Sequence, residues 1–244
     1  MENFITAMLN TDDTTVPHSN PLLPPELATS ILSQAPDARS LRNLILSAPC
    51  FYYGFFTTSR RILHAVLFNE FGPALLPIAL AIHHCKRLTL VDFHHAASQS
   101  EEWSNQQLLR ETRNGILSTM ARQARIPEDW TFSDSLALTE LHDDVDWFAL
   151  EFAATLSGPS EGNAKHECDP LGRKEMDRIR SAFFRFDLYR RVFSKRYRYD
   201  ERPDPDERKE MLLDRFAPWE NEQLATAYEY LLHRLSIGLS KIIP

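Results

Sequence analysis

The residues best suited to chemistry in this sequence are the histidines and the cysteine of HHCKRLTLVDFHH, His83 to His95. Zinc takes four ligands arranged tetrahedrally, and Cys85 with His84, His94 and His95 supplies suitable sulfur and nitrogen atoms. The spacing matches no standard zinc finger, and adjacent histidines on a helix point to different sides. We therefore expect a mixture of core and surface histidines, and predict no metal and no other cofactor.

A second group consists of the carboxylates in HDDVDW, at Asp143, Asp144 and Asp146. It resembles the aspartate-rich motif of terpene cyclases, in which carboxylate oxygens bind the magnesium that holds a diphosphate. That motif requires a further acidic residue three places after Asp144, where this chain has Trp147. A solvated acidic stretch of helix is the favoured interpretation. A helical metal-dependent enzyme, using these aspartates or the histidine and cysteine cluster, remains an alternative.

Two common catalytic signatures are missing from the sequence. Gly54, Gly72 and Gly115 stand alone, so no glycine loop is present to hold a phosphate. No nucleophile elbow occurs either. We predict a protein that is not an enzyme.

The composition indicates a globular, helical chain. Of its 244 residues 43% are hydrophobic and 25% are charged, which is typical of a protein that buries a core. Only seven glycines stand against fifteen prolines, and the abundant Leu, Ala, Arg and Glu favour helices joined at proline-marked corners. The predicted fold class is all-α.

Charge and cysteine content indicate which partners and which cellular compartment to expect. A net charge of -7 disfavours a protein that coats nucleic acid. The odd number of cysteines, at Cys50, Cys85 and Cys168, indicates no disulfide framework. The amino terminus carries Glu2 where a signal peptide has a basic residue, and no apolar run approaches the ~20 residues of a membrane span. We expect a cytoplasmic or nuclear protein.

Three regions are predicted along the chain: a flexible tail over 1–19, a short three-helix module over 20–71, and a larger irregular helical region over 72–244 with a loop at 157–172. The module is packed on the larger region or linked to it. Helices are predicted over the ranges 58–70, 72–93 with an interruption at Pro77, 101–125, 133–156, 173–199, 207–216 and 218–242.

The module opens with a distinct pattern. Leu23, Leu27 and Ile31 recur every four residues, which makes one side of a helix apolar. Pro25 suits an early helical position, and Glu26 suits the positive end of the helix dipole. A second helix follows in PDARSLRNLILSAP, with Asp37 or Ser40 as its cap and Pro49 at its end; its buried side comprises Leu41, Leu44 and Ile45.

LPPELATSIL, followed by SLRNLILSAPCFYYGF, resembles the F-box. This three-helix module tethers substrate receptors to the Skp-type adaptor of cullin ubiquitin ligases. The resemblance covers about a fifth of the chain. Farther on, RIRSAFFRFDLYRRVF and RFAPWENEQLATAYEYLLHRL are similar to segments of uncharacterised F-box-like proteins of filamentous fungi.

The resemblance implies a non-catalytic substrate receptor that links an unidentified target protein to the ligase. It also implies the residues that would bind the adaptor, which are Leu23, Pro24, Glu26, Leu27, Ile31, Leu32, Leu41 and Leu44. No function for the carboxyl-terminal region follows from it.

A docking role makes a physical demand on the apolar residues of the module. Some of these residues must stay outside the protein's own core, because a partner needs an exposed apolar patch to cover. The residues concerned are Leu23, Leu27, Ile31 and Leu44. The alternative is a helical scaffold or regulator with a degenerate F-box, whose leucines only hold a helical hairpin against the rest.

The segment 173–202 is basic, with eleven Lys or Arg against five Asp or Glu. Its interleaved aromatic residues suit a nucleic-acid surface, where arginines contact phosphates and rings stack on bases. We favour a packed helix instead. Its Ile179, Phe183, Phe186 and Phe193 keep a helical period, and its arginines are expected to pair with acidic residues in the range 207–214.

Overall fold

The computed structural model describes residues 23–96, 115, 125–156, 172–193 and 205–240, without the side chains of 86–96, 207, 211 and 239. The predicted tail over 1–19 lies outside these residues, and the helix predicted over 101–125 and the loop predicted over 157–172 lie almost wholly outside them. Of these described residues, 87% are helical and none lies in a strand, which confirms the predicted all-α class.

The first two helices begin where the sequence predicts. Helix α1 spans Pro25–Leu32, with a proline in its first turn, and α2 spans Ala38–Ser47. Asp37 caps α2 by accepting a hydrogen bond from the backbone N–H of Ser40 at 2.7 Å. The side-chain amide of Asn69 donates to the carbonyls of Ser33 and Ala35, at 2.9 and 3.1 Å, and so holds the connection between the two helices.

The third helix, α3, spans Pro49–Ala96 and is interrupted at Thr58 and Gly72. It begins at Pro49, one residue after α2 is capped, so the aromatic run at Phe51 lies on a helical turn that the sequence did not predict. The predicted interruption at Pro77 is wrong, because the backbone leaves helical geometry at Gly72 instead. A proline disfavours helical geometry in the residue before it, and Pro73 follows Gly72. Pro77 then lies near the start of the next segment, where few backbone hydrogen bonds are lost.

The remaining helices are α4 (Phe132–Leu156), α5 (Arg173–Phe193), α6 (Pro205–Met211) and α7 (Pro218–Ser240), with a 3-10 turn at Leu213–Arg215 after α6. At the starts of α4, α5 and α7 an acidic side chain reaches back to a backbone amide. Asp134 accepts from the N–H of Thr131 at 2.8 Å, and Glu220 accepts from the N–H of Ala217 at 2.9 Å. At α4 the cap is reciprocal, because the hydroxyl of Thr131 accepts from the N–H of Asp134 at 3.2 Å. Such caps satisfy amides that have no partner within the helix.

Helix α3 lies at the centre of the described structure and contacts α1, α2, α4 and α5, while α7 packs on the outer side of α5. Its residues 75–85 are buried almost continuously, and Ile62 and Val66 are buried in the segment before Gly72. By length and composition alone, its part from Pro49 to Cys85 could cross a membrane, and 56% of the most apolar stretch is buried within the protein. A helix at the centre of a packed helical fold has the same properties.

One buried hydrophobic cluster extends through the whole of this arrangement. It includes Leu32 and Leu41 from the amino-terminal helices together with Phe184 and Leu188 from α5. The amino-terminal helices therefore complete their core with side chains that lie far beyond residue 71.

Candidate docking surface

Helix α1 divides its apolar residues between the interior and the solvent. Ala28 and Leu32 are fully buried, whereas Leu27 is 52% exposed and Ile31 is 40% exposed. The two exposed residues are separated by four positions and therefore lie on one side of the helix. This side remains uncovered by the described part of the chain.

The buried side of α1 is packed closely on the first segment of α3. A β-carbon added at Gly54 would lie 3.0 Å from the β-carbon of Ala28, so the two helices cross at these residues. Beside the crossing, the hydroxyls of Thr29 and Thr58 are hydrogen-bonded at 3.2 Å. The absence of a side chain at Gly54 is what permits this short separation.

Helix geometry shows which residues lie on the other flank of the crossing. Successive residues are rotated by about 100°, so Leu27 and Thr29 lie on opposite flanks of Ala28. In the same way Tyr53 and Phe55 lie on opposite flanks of Gly54. Leu27 and Ile31 therefore lie on the flank of α1 away from Thr29, and Tyr53 lies on the flank of α3 away from Phe55.

Aromatic residues at the start of α3 are exposed as well. Tyr52, Tyr53 and Phe56 are exposed, Phe56 to 77%, and the rings of Tyr52 and Tyr53 meet edge to face at 5.8 Å. Phe55 instead turns inward and contacts the ring of Phe132 at 5.7 Å. Phe56 is not among the residues that the F-box resemblance implies, although its spacing of three or four residues from the two tyrosines could have indicated it. We call Leu27, Ile31, Tyr52, Tyr53 and Phe56 the amino-terminal patch.

The other residues implied by the F-box resemblance have different positions. Pro24 and Glu26 are exposed, and Leu23 is half-buried. Leu44 is half-buried against the hydrophobic core. Leu32 and Leu41 are fully buried, so within this fold they can support the patch but cannot contact a partner directly.

The histidine and cysteine cluster is only partly within the described side chains. Cys85 and His83 are buried in α3, and the imidazole Nε2 of His83 lies 2.9 Å from a carboxylate oxygen of Asp134. The ring of His83 also contacts that of Trp130 at 4.5 Å. The side chains of His94 and His95 lie outside the described part. Among the described side chains, no group of three His, Cys, Asp or Glu residues is arranged to hold a metal ion.

The aspartates of α4 are placed in ion pairs with arginines from two other helices. Arg39 of α2 pairs with Asp143, and Arg180 of α5 forms two hydrogen bonds with the carboxylate of Asp146. Asp144 is exposed. These pairs connect α4 to its neighbours, and they give no support to a diphosphate-binding metal site.

The middle of the basic helix α5 is packed on almost all sides. Five consecutive residues, from Ser181 to Arg185, are buried, which is more than the expected apolar stripe. Among the described side chains, its arginines form ion pairs with acids outside the range 207–214, and the side chain of Glu207 lies outside the described part. Arg185 pairs with Glu220 and lies over the ring of Phe216 at 5.2 Å, and Arg190 and Arg191 pair with Asp187 at 2.7 and 2.6 Å.

Helix α7 presents a second exposed apolar stripe. Tyr228, Leu232 and Leu235 are exposed at spacings of four and three residues, while the neighbouring Ala227 is buried. On the packed side, the ring of Tyr230 contacts that of Phe152, and its hydroxyl donates to Glu151 at 3.1 Å.

Comparisons with known proteins give no further assignment. The chain matches no protein-family model, no curated protein and no solved structure.

Proposed function

We propose that this protein is a non-catalytic substrate receptor of the F-box type, which binds a Skp-type adaptor through its amino-terminal helices and recruits a target protein. The proposal combines the resemblance of LPPELATSIL to the F-box with one structural observation. Leu27 and Ile31 are left exposed by α1 while their neighbours Ala28 and Leu32 are fully buried.

The arrangement suits binding because the exposed residues are held by a rigid support. Ala28 is fixed against Gly54, and Leu32 is part of the hydrophobic cluster, so α1 cannot turn its apolar side inward without breaking these contacts. An apolar patch on a fixed helix loses little conformational freedom when a partner covers it. The aromatic residues of the patch are of the kinds that contribute most to interface energies.

In this function the protein holds two partners close together and carries out no reaction itself. A receptor that binds the adaptor and a target at the same time raises the effective concentration of the target near the ubiquitin-loaded enzyme. No reacting group is required of the receptor itself. Adaptor binding, in this proposal, belongs to α1 and the start of α3, and target binding belongs to the helical region that follows.

The test is a binding titration between the purified full chain and a purified Skp-type adaptor. The wild type is expected to bind, and the double variant Leu27→Asp, Ile31→Asp is expected to lose at least 100-fold in affinity, because two charges would be buried without partners. Leu235→Asp is the matched control, since it places the same charge on an exposed leucine of α7. It should bind as the wild type does.

Thermal unfolding of each variant shows whether a loss of binding reflects a loss of fold. A wild-type chain that does not bind the adaptor, or a double variant that binds equally well, would overturn the proposal. The first of these results would favour a helical scaffold with a degenerate F-box.

A further inference from the structure

A buried carboxyl group lies where three helices meet. Glu70 belongs to α3, and its side chain is only 4% exposed. Its Oε2 accepts a hydrogen bond from the hydroxyl of Thr139 on α4 at 2.9 Å. Its Oε1 is buried and makes no hydrogen bond in the described part of the chain.

The nearest ionisable partner of this oxygen is an imidazole that is itself poorly solvated. Nδ1 of His142 lies 3.9 Å from Oε1 of Glu70, just beyond hydrogen-bonding distance. The imidazole ring contacts Phe71 at 5.0 Å and Phe184 at 6.3 Å. Burial lowers the pKa of His142, so the ring favours its neutral form.

The other charged groups around Glu70 are mostly acidic. Asp37 at the start of α2 and Asp143 on α4 both disfavour a negative charge on Glu70. Arg39 is engaged by Asp143, and Arg180 is engaged by Asp146 and Asp177. Neither arginine therefore neutralises Glu70 directly.

Burial and the neighbouring aspartates both raise the pKa of Glu70. Loss of solvent is the largest cause, and together with the two aspartates it raises the pKa of Glu70 to about 7, although the hydroxyl of Thr139 and the amide of Ala38 partly oppose it. A carboxyl group of this kind carries a proton at mildly acidic pH and loses it near neutrality.

Glu70 is also placed to influence the amino-terminal helices. The preceding residue, Asn69, holds the carbonyls of Ser33 and Ala35, and the amide of Ala38 lies at the start of α2 near the carboxyl group. A charge on Glu70 would therefore be created directly beneath the connection between α1 and α2.

We propose that Glu70 is a proton-dependent latch for the hairpin formed by α1 and α2, which is held firmly on α3 and α4 when the carboxyl group is protonated and is loosened when it ionises. The proposal does not depend on adaptor binding. Ionisation would place a desolvated charge between Asp37 and Asp143, and water can reach that charge only when the hairpin moves away.

The sign of the effect follows from proton linkage. In the unfolded chain Glu70 ionises near 4.5, whereas in the folded chain it holds its proton to about 7. Its contribution to stability is therefore fully present below pH 4.5 and is lost as the pH rises to about 7. His142 has the opposite effect, because its stabilisation is lost as the pH falls below 6.5. The two effects oppose one another in the wild type, so a variant is needed to separate them.

Glu70→Gln provides that separation, since glutamine imitates the protonated acid and retains an oxygen for Thr139. The measurement is the unfolding equilibrium constant of the full-length wild type and variant from pH 5 to pH 8. The wild type is expected to lose stability relative to the variant by roughly 70-fold across this range. The part of the His142 titration that is independent of Glu70 is common to both proteins and cancels in the ratio. The proposal would be overturned if the ratio of the two unfolding equilibrium constants changed by less than about threefold between pH 5 and pH 8.

A second measurement locates the effect. Amide hydrogen exchange at pH 8 should be faster in the wild type than in Glu70→Gln over residues 33–41, with α7 unchanged. A difference spread evenly over the protein, or no difference, would reject a latch at this hairpin. Glu140→Gln, which removes an exposed carboxylate from the same helix as His142, is the control and should follow the wild type at every pH.

Discussion

Gly54 and Ala28 determine how closely α1 approaches α3. A β-carbon at Gly54 would lie 3.0 Å from that of Ala28 and 3.8 Å from the Cδ1 atom of Leu32. Contacts between carbon atoms are most favourable at about 3.5–4.0 Å, so any side chain at Gly54 forces the helices apart. The position of the amino-terminal patch therefore depends on the size of these two residues.

Gly54→Val should destabilise the protein by about 1–3 kcal/mol, because the added methyl groups enter a packed contact. Chemical denaturation measures the change. Ala28→Gly, introduced into the same protein, removes the opposing methyl group and should make the double variant more stable than the sum of the single changes. Strict additivity in this double-mutant cycle would show that the residues do not touch.

Gly72→Ala should cost about 1–3 kcal/mol of unfolding free energy even though nothing would lie within 4 Å of the new carbon. The reason is the backbone, since Gly72 has a φ of 67° and a ψ of 177°, a combination that is accessible almost only to glycine. Gly238→Ala is the matched control. It lies in the open part of α7 without a positive φ and should stabilise the protein by about 0.5–1 kcal/mol. Equal effects at the two glycines would contradict the described break in α3.

Leu32→Ala should destabilise the protein by about 2–5 kcal/mol, because Leu32 is fully buried in the hydrophobic cluster. Leu27→Ala, five positions earlier on the same helix, should cost less than about 1 kcal/mol, since half of its side chain already faces water. Urea denaturation distinguishes the two. A large cost at Leu27 would mean that α1 is packed on both sides and would remove the amino-terminal patch.

Arg185→Ala should cost about 2–3 kcal/mol, because it leaves Glu220 without its partner and removes the guanidinium from the ring of Phe216. Arg39→Ala should change the unfolding free energy by less than about 1 kcal/mol, since its pair with Asp143 is half exposed. Thermal unfolding at low and high salt measures both. The Arg185 value should be the less salt-dependent of the two.

Local signals in the sequence account for most of the helices. Pro25, Asp37 and Pro218 each lie at or next to a helix start that the sequence predicts, because caps and prolines act within one turn of the chain. The same local reasoning was wrong at Pro77. Whether a proline interrupts a helix depends on where that helix begins, and the beginning is determined by Gly72 and Pro73.

Side-chain environments were harder to predict, because they depend on contacts between distant residues. To predict that Leu27 is exposed beside a buried Ala28, the position of Gly54 would have to be known. To predict that Glu70 lies near His142, the packing of α3 beside α4 would have to be known, and no residue spacing along the chain indicates that packing. For α5, a helical period predicted one buried side, whereas α3, α4 and α7 together cover nearly all of its middle.

Contacts between early and late parts of the chain affect how the protein folds during its synthesis. Arg39 meets Asp143 across 104 positions, and Glu70 meets Thr139 across 69. At a translation rate of about 5–20 residues per second, a nascent chain waits roughly 5–20 s between presenting Arg39 and supplying its partner. During that interval α1 and α2 have left the ribosome, but α2 lacks α4, the later helix on which it packs. We therefore expect apolar side chains of the amino-terminal helices to stay exposed in the nascent protein until α4 has been made.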